Sequence, residues 1–134
     1  MFVDASAMVA ILIGEPQRSP LLKCLDGAAA PITSALAVFE TVAAVTRRRA
    51  QSAEASEMQV HEFLRSASIT IVPIAEAEGQ AALTAFARFG KGQGHPAQLN
   101  MGDCFAYACA RTRNVPLLFV GNDFSQTDIA NATG

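Results

Sequence analysis

Short apolar runs alternate with longer helical segments along the chain, and this alternation restricts the fold more than any other feature. Buried strands are predicted at residues 2–5, 31–33, 69–72 and 117–120. Helices are predicted at residues 7–13, 17–25, 35–50, 53–65, 76–89 and 102–113. Short apolar strands separated by helices favour a parallel sheet that is covered on both faces. The expected fold class is therefore α/β.

Size and composition indicate one domain. The chain has 134 residues, of which 51% are hydrophobic and 16% are charged. A disordered chain would contain fewer apolar residues, and a coiled coil would carry more charge. We therefore expect a single domain over residues 1–134.

Signals for export or membrane insertion are absent from the sequence. No stretch reaches about 18 uninterrupted apolar residues, so no membrane span is predicted. The N-terminal segment carries an acid at Asp4 and no basic region, which is not typical of a signal peptide. The three cysteines lack metal-ligand spacing, so we expect free thiols in the cytoplasm.

Four carboxylates stand in apolar surroundings, where an unpaired charge is costly. Asp4 interrupts the apolar N-terminus, and Glu40 lies inside ALAVFETVAAV. Asp103 begins the helical segment DCFAYACA, and Asp123 follows the strand LLFV. Parallel α/β sheets bind ligands beyond the carboxyl ends of their strands, where Asp4 and Asp123 are predicted to lie.

Each of these acids also has a structural interpretation. Asp4 and Asp103 could cap the helices that follow them, and Asp123 could form an Asx turn. Glu40 lies in mid-helix, where capping does not apply, so its alternative is a salt bridge to an arginine. Four such acids, on elements that a parallel sheet brings together, favour a shared role.

A shared role for four carboxylates requires positive charge between them. Oxygen ligands with few histidines suit Mg²⁺ or Mn²⁺ rather than Zn²⁺. A cation held in this way can activate water and stabilise charge on a phosphate. Because the net charge is −2, a nucleic acid would be held locally or with help from the metal, not by bulk charge.

Four segments carry a family resemblance by their order, spacing and local context. They are FVDASAMVAIL, TSALAVFETVAAVTRR, LNMGDCFAYACAR and PLLFVGNDFSQTDI. The chain resembles a PIN domain over nearly its whole length, and more closely a VapC-type toxin of bacterial toxin–antitoxin systems. The resemblance implies a PIN-like three-layer α/β/α sandwich with a central parallel sheet. It also implies a metal-dependent ribonuclease that cleaves single-stranded or structured RNA.

The resemblance further implies roles for individual residues. Asp4, Glu40, Asp103 and Asp123 fall on the acidic catalytic site of the family, with Mg²⁺ or Mn²⁺ as the cofactor. The first three would hold the metal, and Asp123 would complete or orient the shell. Ser6 falls on the small hydroxyl position, which hydrogen-bonds a site carboxylate.

The position of the fourth acid is the least constant in the family, so Asp128 is a second candidate for it. The simpler interpretation of Asp128 is a solvated helix start. Arg47, Arg48 and Arg49 end the Glu40 helix. These arginines either bind RNA phosphates along a groove or interact with solvent and the helix C-terminus.

The implied partners are an RNA substrate, a small VapB-type antitoxin and a second copy of the chain in a homodimer. Implied cleavage products have 5′-phosphate and 3′-hydroxyl ends.

Two other functions stay open from the residues alone. One is phosphotransfer on a Rossmann-like fold, but a haloacid-dehalogenase-type phosphatase would have an aspartate where Ser6 stands. A response-regulator receiver would have a lysine after a late strand, and no lysine follows Lys91. The other is a non-catalytic PIN-like binding module, which would not need four acids that destabilise the fold without a metal.

Overall fold

The computed structural model describes all 134 residues and contains one four-stranded sheet. Its strands are β1 (Phe2–Val3), β2 (Ile32–Ser34), β3 (Thr70–Val72) and β4 (Leu117–Leu118). Their order is β3-β2-β1-β4, and every neighbouring pair is parallel. The predicted central parallel sheet is confirmed, and β1 lies inside it between β2 and β4.

Six α-helices and one short 3₁₀-helix connect and cover the strands. They are α1 (Ala5–Ile13), α2 (Arg18–Asp26), α3 (Ala35–Arg49), α4 (Ala53–Ser66), α5 (Glu76–Phe89), α6 (Met101–Thr112) and the 3₁₀-helix Phe124–Gln126. α1 packs against α2 and α3, α3 packs against α4, and α5 packs along α6. The helices form the outer layers of the expected three-layer α/β/α sandwich. None of them is both long enough and apolar enough to span a membrane.

The core is built around the two-residue strand β1. Phe2 and Val3 are fully buried, as are both residues of β4. The backbone N–H of Asp4 donates to the carbonyl oxygen of Leu118 at 3.0 Å. The Thr33 hydroxyl donates to the carbonyl oxygen of Val3 at 2.8 Å. These bonds fix the point at which the chain leaves β1, which is where the first of the four acids stands.

Three strands are shorter than predicted, β3 by one residue and two others by two residues each, for identifiable reasons in the latter two. The strand predicted over residues 2–5 ends at Val3, because Asp4 caps α1 and Ala5 already begins that helix. The strand predicted over residues 117–120 ends at Leu118, because its partner β1 is only two residues long. The helix ends agree more closely, and Ser34 caps α3 as predicted by accepting the Ala37 N–H at 3.1 Å.

Candidate active site

Asp4 is a buried carboxylate at the junction of β1 and α1. It is 4% exposed and accepts the backbone N–H of Ser6 at 3.0 Å and the Ser6 hydroxyl at 2.5 Å. Burial raises the pKa of Asp4, and the hydrogen bonds from Ser6 oppose that rise only in part. The helix-cap interpretation of Asp4 is therefore correct, but the cap brings no positive side chain to the carboxylate.

Ser6 links Asp4 to the residues that follow β4. Its hydroxyl group donates to Asp4 and at the same time accepts the backbone N–H of Val120 at 3.0 Å. Ser6 and Val120 lie 114 positions apart in the sequence. The orientation of the Asp4 carboxylate thus depends on both ends of the chain, through the hydrogen bond that the resemblance implies for Ser6.

Glu40 reaches from the second turn of α3 to the first turn of α6. Its carboxylate lies so close to Gly102 that a Cβ atom built on this glycine would stand 2.0 Å from Oε2. Burial raises the pKa of Glu40 to about 7, and the charges of Asp4 and Asp103 contribute to the rise. Glu40 takes part in no salt bridge, so the arginine alternative is wrong.

Asp103 is held in the first turn of α6 by a reciprocal capping box. Its backbone N–H donates to Oδ1 of Asn100 at 2.8 Å, and its carboxylate accepts the Asn100 N–H at 3.1 Å. Burial raises the pKa of Asp103 to about 6 against the hydrogen bond from Asn100, and the charges of Asp4 and Asp123 add to the rise. Asp103 therefore caps α6 and also lies where its negative charge is unfavourable.

Asp123 lies beyond β4 in an exposed turn. Its side chain makes no capping hydrogen bond at the 3₁₀-helix that follows, so an Asx turn is not formed. Its charge nevertheless reaches Asp103, whose pKa it helps to raise. Asp123 therefore stands at the edge of the acidic group and not at its buried centre.

Asp128 belongs to a different group of side chains. It accepts a hydrogen bond from the Tyr107 hydroxyl and lies 3.6 Å from Nη1 of Arg88. No helix begins at Asp128, so the helix-start interpretation is wrong. Its charge does not contribute to the pKa of Asp103 or Glu40. Which of the two candidates is the fourth acid stays a prediction, and the charge of Asp123 near Asp103 supports Asp123.

Asp4, Glu40 and Asp103 line one cleft of about 360 Å³. The other lining residues are Ala5, Ser6, Val9, Glu15, Ala44, Arg47, Arg48 and Val120. None of the three acids takes part in a salt bridge, and neither does Asp123. A larger groove of about 950 Å³ along α4 contains none of the predicted site residues except Arg49.

The donor atoms of this cleft fit a hard divalent cation in their chemistry. They are carboxylate oxygens, and no histidine or cysteine lines the cleft. As they stand, no group of three or more acidic, histidine or cysteine side chains could hold a metal ion. Binding one would require these side chains to rearrange, at a place where burial and then neighbouring negative charges raise the pKa of Glu40 and Asp103.

Basic side chains border the same cleft at the end of α3. Arg47 and Arg48 line it, and Nη1 of Arg48 lies 3.2 Å from Oε1 of Glu15. Arg49 donates instead to the carbonyl oxygen of Leu12 and does not line the cleft. The structure therefore brings two of the three predicted arginines beside the acids.

The chain matches the PIN domain family over residues 1–130. It is 45% identical over 140 aligned positions to a VapC ribonuclease of Rhizobium meliloti, with 96% of this chain and 98% of that protein covered. The chain belongs to the VapC family of PIN-domain ribonucleases. Ribonuclease VapC36 of Mycobacterium tuberculosis is 44% identical, over 96% of this chain and 91% of its own length.

A solved structure from the VapC family has the same fold. VapC20 of Mycobacterium tuberculosis, a toxin that cleaves the sarcin-ricin loop, superposes with a TM-score of 0.73 at 18% identity. The alignment covers 96% of this chain and 95% of VapC20. The family resemblance and the PIN-like sandwich are thus confirmed, and the phosphotransfer alternatives have no support among these matches.

Sequence reasoning missed two residues of this VapC cleft. Glu15 lines it as a further acid, but its contact with Arg48 joins residues 33 positions apart and left no local signal. Gly102 did leave a signal, because glycine inside a helix costs about 1 kcal/mol relative to alanine and so needs a reason. The reason is the carboxylate of Glu40, which occupies the space of the missing side chain.

Proposed function

We propose that this protein is a toxin that cleaves RNA internally with the help of Mg²⁺ or Mn²⁺ in the cytoplasm. One observation carries the proposal. Asp4, Glu40 and Asp103 line one cleft, and each has a pKa that is raised by burial and no cationic partner. Membership in the VapC family supports the same function. A non-catalytic module would have no use for this uncompensated charge.

The roles of the acids follow from their positions. Asp4, Glu40 and Asp103 would hold the cation, and Asp123 at the rim would complete or orient its shell. When bound, the cation would supply a reactive water and positive charge against the scissile phosphate. Ser6 keeps the Asp4 carboxylate oriented through its bond to Val120. Glu40 or Asp103 would accept a proton from the attacking water.

RNA would enter along the side of the cleft where the arginines lie. Arg47 and Arg48 are exposed and line the cleft with the acids, so they can bind phosphates on either side of the cleavage point. Attack by water does not use a ribose 2′-hydroxyl, which agrees with products that carry 5′-phosphate and 3′-hydroxyl ends.

Exposed apolar residues support the proposed protein partners. Phe39 next to Glu40 is 72% exposed, and Met101 next to Gly102 is 67% exposed. Further exposed apolar side chains are those of Met58, Ile71, Leu83 and Phe86. Such surface is suited to a second copy of the chain and to a small VapB-type antitoxin that covers the cleft.

Cleavage of a labelled single-stranded RNA, with and without EDTA, tests the enzymatic part of the proposal. We expect cleavage with Mg²⁺ or Mn²⁺ and none with EDTA. Asp4→Asn, Glu40→Gln and Asp103→Asn should lose most activity while they stay folded. Glu57→Gln, which removes an exposed acid of α4, should behave as wild type. Full activity in EDTA, or in all three cleft variants, would contradict the metal mechanism.

Growth of a bacterial host tests the toxin part. Expression of the chain alone should stop growth, and co-expression of the cognate antitoxin should restore it. Asp103→Asn at equal expression is the control and should be harmless. A wild-type chain that cleaves RNA in vitro but leaves growth unaffected would separate the ribonuclease from the toxin role.

A further inference from the structure

Gly102 stands where the helix that carries Asp103 meets the side chain of Glu40. A Cβ atom on Gly102 would lie 2.0 Å from Oε2, 2.7 Å from Oε1 and 2.6 Å from Cδ of Glu40. Real Cβ atoms do not approach other heavy atoms this closely, so the whole carboxylate occupies the space that a side chain at position 102 would need. The contact joins α3 to α6 directly beside the capping box of Asp103.

Backbone conformation does not explain this glycine. Gly102 is in the first turn of α6, is buried, and is not among the glycines with positive φ. Alanine would therefore suit its backbone and would favour the helix. The three heavy atoms nearest to a Cβ atom at this position all belong to the Glu40 carboxylate, which excludes a side chain there.

A second helical glycine provides the contrast. Gly79 lies in the first turn of α5, and a Cβ atom built there would meet nothing within 4 Å. Gly102 is the second residue of α6 and Gly79 is the fourth residue of α5, so both lie near a helix start but in different surroundings. Substitution by alanine should thus separate the effect on Glu40 from the effect on a helix.

We propose that Gly102 is a positioning residue of the active site, whose missing side chain lets the Glu40 carboxylate lie against the first turn of α6 beside Asp103. The inference rests on the proposed metal-dependent ribonuclease and goes beyond it. Any side chain at position 102 displaces Glu40 by about the radius of a methyl group. Displacements of about 1 Å in an active site cost about 10²-fold in rate.

The test compares Gly102→Ala with Gly79→Ala in two assays. The first measures the affinity for Mn²⁺ without RNA, by calorimetry, and the second measures kcat and KM for RNA cleavage. We expect Gly102→Ala to weaken Mn²⁺ binding about tenfold or more and to lower kcat about 10²-fold, with KM nearly unchanged. Gly79→Ala should match wild type in both assays.

A shorter acidic side chain at position 40 provides the decisive part of the experiment. Glu40→Asp retracts the carboxylate by one methylene group and leaves room for a methyl group at position 102. In the Glu40→Asp background, Gly102→Ala should change the Mn²⁺ affinity by less than about twofold, so the two substitutions are strongly non-additive. If Gly102→Ala alone fails to fold, Glu40→Asp should restore folding, because the same clash is relieved.

Three results would overturn the inference while leaving the proposed function intact. They are wild-type Mn²⁺ affinity in Gly102→Ala, equal losses from Gly102→Ala in the wild-type and Glu40→Asp backgrounds, and a folding defect that Glu40→Asp does not relieve. A wild-type chain without Mn²⁺ binding or Mn²⁺-dependent cleavage would instead contradict the proposed function itself.

Discussion

The cleft acids and Asp128 belong to the same small protein and meet opposite electrostatic surroundings. Burial raises the pKa of Asp4, Glu40 and Asp103, and neighbouring acids raise it further for the last two. The pKa of Asp128 is lowered, first by the hydrogen bond from Tyr107 and then by nearby arginines.

The difference shows how this fold treats a carboxylate that has a hydrogen-bond donor and a cationic partner. Asp128 has a hydroxyl donor and the Arg88 guanidinium, and it remains 42% exposed in its side chain. The cleft acids accept backbone hydrogen bonds or pack against a glycine, but none of them forms a salt bridge. Charge that the fold leaves uncompensated at one cleft indicates a ligand that supplies the missing positive charge.

The largest contrast between the two regions should appear in catalysis. Asp103→Asn keeps the size of the side chain and an oxygen for the Asn100 N–H, but it removes the charge that would hold the cation. We expect RNA cleavage to fall about 100-fold or more. Asp128→Asn should retain activity within about twofold. Initial rates at equal protein concentration check this, and similar losses in both variants would remove the distinction between the regions.

Stabilisation by a metal ion should also depend on the cleft acids and not on Asp128. A ligand that binds only the folded state adds about 2.7 kcal/mol at a hundredfold excess over its Kd. Thermal unfolding in millimolar Mn²⁺ and in EDTA should therefore differ by several degrees for wild type and Asp128→Asn. Asp103→Asn should gain much less. An equal gain in all three proteins would place the binding of Mn²⁺ elsewhere.

The metal-free protein should lose stability as pH rises toward neutrality. The folded pKa of Glu40 is about 7 and its ordinary value is 4.5, so its protonated form favours the folded state. The contribution is fully present below about pH 4.5 and is lost as pH rises through about 7. For this partly exposed group we expect a loss of about 1–2 kcal/mol. Urea unfolding of wild type and Glu40→Gln between pH 4.5 and 7.5 measures it.

Glu40→Gln cannot titrate at this position, so its stability should depend less on pH over the same range. If the two proteins show the same slope, the protonation of Glu40 does not control the stability of the metal-free fold. The residual slope in Glu40→Gln would then come from the other cleft acids, Asp4 with its raised pKa and Asp103 with a folded pKa of about 6.

The smallest expected effect is structural and belongs to Asp128. Tyr107→Phe removes a hydrogen bond to a charged acceptor that is partly exposed, so we expect a loss of about 1 kcal/mol in unfolding free energy. Because the folded pKa of Asp128 is lowered, this contribution is present above the ordinary pKa of aspartate and disappears in acid. Denaturant melts at pH 7 and pH 3 check both the size and the sign.

Sequence patterns that span about ten residues were enough to predict most of the fold. The alternation of apolar strands with helices predicted the parallel sheet, and Ser34 was recognisable as the start of α3. The four acids stood out because each lies in or beside an apolar run. What local patterns could not supply was the order β3-β2-β1-β4, since it depends on which strands pair across the whole chain.

Contacts between distant residues account for what was missed at the site. Glu15 meets Arg48, and Glu40 meets Gly102, only after α1, α3 and α6 have packed together. The interpretation of Asp128 failed for the same reason, since its donor Tyr107 lies 21 positions away on α6. The start of a helix can be recognised from about four consecutive residues. The contacts between distant residues form only in the folded chain.

The central place of β1 has a consequence for the time at which the protein becomes active during its synthesis. Phe2 and Val3 are made more than a hundred residues before β4, which holds them on one side. The hydrogen bond from the Asp4 N–H to the Leu118 carbonyl, and the one from the Val120 N–H to the Ser6 hydroxyl, cannot form until Leu118 and Val120 have been made. A nascent chain therefore cannot assemble the acidic cleft before β4 and Val120 have been made.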